Sequence, residues 1–142
     1  RLAINGVDSQ SGWAAPQTFA AAQGLRFGRL IVTGAHVETA RAVAEGRAEI
    51  GAIDAVTWRL IKRFRPEIAS ALKVLCHTEP TPGLPFVTAR PEHAAPVAAA
   101  LENAIAGAAG TPPGLRGLVQ IPKDAYLSVP TPASATKAEL AG

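Results

Sequence analysis

Ser9, Gln10 and Ser11 form a run of three polar side chains between the apolar stretch LAIN (Leu2–Asn5) and Gly12, which opens an alanine-rich segment. Serine hydroxyls at such a place can cap a helix, and they can also donate to an anion. A helix N-terminus adds unpaired N–H groups and a partial positive charge, and Gly12 would let the backbone approach a ligand closely. One serine is enough for a cap, so two with an intervening glutamine exceed what capping needs. Two further residues have matching chemistry: His36 in TGAH and Asp54 in AIDAVTW. A histidine beside an anion is drawn toward its charged form. An aspartate repels a fully ionised anion, and suits a ligand that keeps a proton on one oxygen or carries an amine. Singly, each has a plainer reading as a cap or a helix-terminal surface residue; their joint placement is what makes a site of them. Nothing in the chain resembles a catalytic set, a phosphate-binding P-loop or metal-ligand spacing, and no cofactor is implied.

These residues depend on the elements that would carry them. LAIN suits a short buried strand, and Trp13–Gln23 a helix ended by Gly24, with Pro16 in its first turn. Arg29–Gly34 predicts a second strand, and His36–Gly46 a helix with Val37, Ala40, Val43 and Ala44 on one face. Glu49–Val56 predicts a third strand, Thr57–Phe64 a helix ending before Pro66, and Leu72–Thr78 a fourth strand. Strands alternating with helices imply βαβ units and a mostly parallel α/β sheet covered on both faces. If the strands are adjacent, the Ser9–Ser11 loop, His36 and Asp54 fall at one edge, the carboxyl ends where open α/β sheets bind ligands.

The composition changes after residue 78. Thr78–Pro91 holds Pro80, Pro82, Pro85 and Pro91, and reads as an extended connection with one short strand, PFVTA (Pro85–Ala89). Glu92–Gly110 is a helix candidate, started or kinked at Pro96, followed by an irregular stretch and a last helical turn. Residues 130–142 are rich in Pro, Ala and Ser and suit a tail.

Of the 142 residues 48% are hydrophobic but only 5% aromatic, so the core must be built of Ala, Val, Leu and Ile. The net charge of +3 is modest and the basic residues are scattered. The densest cluster, Lys62–Arg65, suits a solvated helix end, and without stacking aromatics nucleic-acid binding is not expected. Cys76 cannot pair internally, and its apolar surroundings predict a buried thiol. No stretch is long and apolar enough to span a membrane. The absence of methionine and the start on Arg1, directly before a strand, suggest a piece of a longer protein.

The segments AINGVDSQSGW, VTGAHVETARAVAEGRAEIGAIDAVTW and TEPTPGLPFVTA, in this order, resemble phosphate/phosphonate-type substrate-binding proteins of ABC transporters, which have the type II periplasmic binding protein fold. The likeness is close from Leu2 to about Ala89, weaker to Tyr126 and absent after Val129. It implies a three-layer open sheet. Residues 1–77 would be the second lobe, 78–129 the crossover and the C-terminal part of the first lobe, and 130–142 a tail. It implies that Ser9, Gln10, Ser11, His36 and Asp54 bind a phosphonate, phosphate or phosphite held between two lobes. It further implies a non-catalytic, periplasmic or extracytoplasmic receptor that serves an ABC permease. Ala35, where a serine often precedes the histidine, and Trp13, where Tyr or Phe is common, depart from the pattern. The first half of the first lobe is not in this chain.

The alternatives are an orphan ligand-sensing domain on the same fold and an enzyme of the thiamine-precursor type. The latter would need more than His36, His77, His93 and Cys76. Without their partners, Leu84, Phe86, Val87, Val97, Leu101 and Ile105 are expected to lack cover, which would favour a homo-oligomer built through residues 84–110.

Overall fold

The computed structural model describes residues 1–112 and 114–131. The chain divides into two compact units, Arg1–Pro80 and Thr81–Val129.

The first unit is built on a parallel sheet of three strands, β1 (Leu2–Ile4), β2 (Leu30–Val32) and β3 (Ile50–Gly51), in the order β2-β1-β3. Leu2 pairs with Leu30 on one side and with Ile50 on the other. The alternation of β1 divides the core. Leu2 and Ile4 pack with Trp13 and Leu30, whereas Ala3 packs with Ala42 and Ala48. Helical segments thus cover both faces of the central strand, as a parallel sheet requires.

The covering elements are α1 (Ala15–Ala22), α2 (His36–Ala44), α3 (Ala55–Phe64) and α4 (Pro66–Ala69). A π-helical turn, Gln10–Ala14, leads directly into α1, so the helix begins earlier than its alanine content suggests. Its wider ring is closed by the Ala14 N–H donating to the Ser9 carbonyl over 3.0 Å. Gly46, at φ +73°, ends α2 in a left-handed conformation that a side chain would disfavour. Ala40 of α2, Ile61 of α3 and Ile68 of α4 form a further core, with Val37, Trp58 and Leu72 packed against it. At the opposite ends of β1 and β3, the Arg1 guanidinium donates to Glu49 over 2.8 Å and holds that carboxyl down at about 2.

Two expected strands are not formed. Leu72–Thr78 joins no ladder, and Val74 and Leu75 are exposed. A strand needs a neighbour for its N–H and C=O groups, and β3, two residues long, spends its pairing on β1. Cys76, in the same run, is therefore exposed rather than buried. Pro85–Ala89 is irregular and exposed as well; Pro85 has no N–H to give a ladder.

In the second unit a 3-10 turn, Pro91–His93, opens α5 (Ala94–Gly107), and a further 3-10 segment spans Lys123–Ser128. Pro96 lies in the first turn of α5, where its missing N–H costs no helical bond. Leu84, Phe86, Val87 and Val97 are exposed, but Leu101 is half-buried and Ile105 is buried, so the expectation of lost cover fails for the last two. Of the expected tail, residues 132–142 lie outside the described part of the chain.

Candidate functional site

Because β2 and β3 both run parallel to β1, the connections that follow the three strands leave the sheet at the same edge. The first of them carries Ser9–Ser11, the second leads to His36 and the third to Asp54.

Ser9 is the N-cap of the π-helical turn, and its Oγ accepts from the Gly12 N–H over 3.0 Å. One of the two serines thus performs the capping. The Ser11 hydroxyl is not used that way: its Oγ lies 3.2 Å from Nε2 of His36, the first residue of α2. Gln10, between them, is the first residue of the turn. The Gly12 N–H is taken by the Ser9 cap, and the Trp13 and Ala14 N–H groups both donate to the Ser9 carbonyl.

His36 is half-buried, and burial pushes its imidazole below the usual histidine range. The charge of Asp54 and the nearby Ala52 backbone act the other way. Nδ1 of His36 is buried and makes no hydrogen bond. Ala35 N-caps α2 without a side-chain bond, so the departure noted there removes a hydroxyl from the helix entrance. The end of β1 is fixed instead by Thr33, whose hydroxyl donates to the Ile4 carbonyl at 2.9 Å and meets Thr39 Oγ1 at 2.8 Å.

Asp54 is three residues beyond β3 rather than on a long third strand, and it is the N-cap of α3. Its Oδ1 accepts from the Thr57 N–H at 2.8 Å and from the Thr57 hydroxyl at 3.1 Å. Capping and an electrostatic influence on His36 therefore reside in one side chain.

Two residues escape a reading by type and spacing. Thr57 saturates one oxygen of Asp54. Asn5, which follows β1, has its Oδ1 buried without a partner beside Gly12. The space above Gly12, expected to admit a ligand, is filled by this side chain. The signal for Asn5 was its place at the end of a fully buried apolar strand, one residue before Gly6.

The carboxyl ends of the strands, where these polar groups lie, are the edge at which open α/β sheets bind ligands. The family model that matches residues 1–130 is that of the ABC transporter, phosphonate, periplasmic substrate-binding protein. The chain belongs to this family, a class of binding proteins and not of enzymes. Comparison with curated proteins and with solved structures gave no match. Among the described residues, no helix is long and apolar enough to cross a membrane, and the family is one of extracytoplasmic proteins.

Proposed function

We propose that the chain captures a small oxyanion, a phosphonate, phosphate or phosphite, and passes it to the permease of an ABC importer. The observation that carries this reading is the approach of Ser11 Oγ to His36 Nε2 at the opening of a helix. A hydroxyl and an imidazole both donate to oxygen once the imidazole carries its proton. Ser9 and Gln10 extend the same turn. Asp54 lowers the appeal of a fully ionised ligand, and favours one that retains a proton or bears an ammonium group.

On this reading residues 1–77 act as one lobe, and residues 78–129 return toward the other. Titration calorimetry with methylphosphonate, 2-aminoethylphosphonate, inorganic phosphate and phosphite tests it. Saturable binding of at least one, stronger than that of sulfate, is expected. Absent binding of all four, or binding no stronger than that of sulfate, would refute the reading.

A further inference from the structure

Asn5 and Gly12 are interlocked in a way that neither capping nor core packing requires. Gly12 is buried, and a β-carbon built on it would stand 1.8 Å from Asn5 Oδ1 and 3.1 Å from Ser9 Oγ. The Asn5 amide and the Ser9 hydroxyl therefore converge on the α-carbon of Gly12, at the second residue past Gln10 of the π-helical turn. Asn5 Oδ1 is buried and receives no hydrogen bond. An unmatched buried oxygen is a cost that an apolar side chain would avoid, so stability alone does not account for an amide at this position.

We infer that Asn5 is a positioning residue of the anion site: its amide, wedged on Gly12, holds the Ser9–Gly12 turn in the shape that brings Ser11 to His36. Asn5 is the residue after β1, so the wedge anchors the turn to the central strand of the sheet. Gly12 is required because any side chain would occupy the place of the amide. The capping bond from the Gly12 N–H to Ser9 Oγ closes the same turn from the other side. With the amide removed, the turn keeps its cap but loses the stop that sets its distance from α2. The inference rests on the oxyanion reading above.

Calorimetry with methylphosphonate and inorganic phosphate, together with thermal melts, tests it on the protein, Asn5→Ala, Gly12→Ala, the double variant and Ser11→Ala. Asn5→Ala is expected to weaken binding about tenfold, the scale of a misplaced hydrogen bond to a charged group, while its melting temperature holds or rises. Its binding should also lose part of its pH dependence, because Ser11 and His36 no longer act together. Gly12→Ala should lower both melting temperature and affinity. The double variant should recover both relative to Gly12→Ala, since the new methyl enters the space the amide left. A role in packing alone would instead lower the melting temperature of Asn5→Ala and leave its pH profile unchanged. Wild-type affinity in Asn5→Ala, or strictly additive effects in the double variant, would overturn the inference. If the unaltered protein binds neither probe, nor phosphite or 2-aminoethylphosphonate, the oxyanion reading falls and this one with it. If Ser11→Ala weakens binding and Asn5→Ala does not, only the positioning role falls.

Discussion

Ser11 Oγ lies 3.2 Å from His36 Nε2, a bond between side chains 25 positions apart that joins the connection after β1 to the start of α2. It divides the labour of the two serines: Ser9 closes the turn on itself, while Ser11 faces another element. Their substitutions should therefore differ. Ser9→Ala removes a cap and is expected to cost about 1 kcal/mol of stability. Ser11→Ala should leave stability nearly unchanged but weaken anion binding by about 1–3 kcal/mol. Thermal melts beside calorimetry separate the two effects, and equal losses of binding in both variants would contradict the division.

The His36 imidazole should couple binding to protons. Burial holds its pKa below the ordinary 6.5 in the unliganded protein. The unfolded chain then binds a proton more readily, so this group contributes stability above about pH 6.5 and loses it as pH falls through the folded pKa. A bound anion acts in the opposite direction and favours the imidazolium. Binding is expected to take up a proton near neutral pH and to weaken as pH rises through the pKa of His36 in the complex. Calorimetry in buffers of different ionisation enthalpy reads the uptake. A flat affinity from pH 5.5 to about 8, corrected for ligand ionisation, would contradict it.

Asp54 combines two roles that one conservative change should separate. Asn caps a helix about as well as Asp, so Asp54→Asn should keep the bonds from Thr57 and shift stability by only a few tenths of a kcal/mol. Removing the charge, however, takes away an influence that raises the His36 pKa. The histidine should then titrate lower, as followed by its ring resonances in NMR. Asp54→Ala should also lose about 1 kcal/mol of stability. An unmoved His36 titration in Asp54→Asn would show that the two residues do not communicate.

The exposed apolar side chains of the second unit predict self-association. Leu84 is 100% exposed, Val87 86% and Phe86 68%. Burial of each is worth roughly 1.5–3 kcal/mol, and the stiff connection through Pro80, Pro82 and Pro85 favours pairing with a second copy over folding back. Light scattering at micromolar concentration should show mass rising with concentration, and Phe86→Ser should reduce it. A monomer at all concentrations would count against such pairing.

Much of the first unit was legible because its signals are local. The continuous apolar run of β1, the helical spacing in His36–Ala44 and the stop at Gly46 each depend on neighbours within a few residues. The same holds for Asp54 as a cap, three residues before its donor Thr57. Spacing could also bring Ser11, His36 and Asp54 to one sheet edge, once the strands were taken as parallel neighbours. What only the tertiary structure decided are the contacts between distant segments. Leu72–Thr78 has the composition of a strand, but pairing needs a free ladder, which sequence does not display. Cys76 was expected to be buried for its apolar neighbours and is exposed because those neighbours found no sheet to join. The place of Asn5 against Gly12 and the 3.2 Å approach of Ser11 to His36 depend on how the connection after β1 folds back on the sheet and meets α2, which residue types alone do not specify.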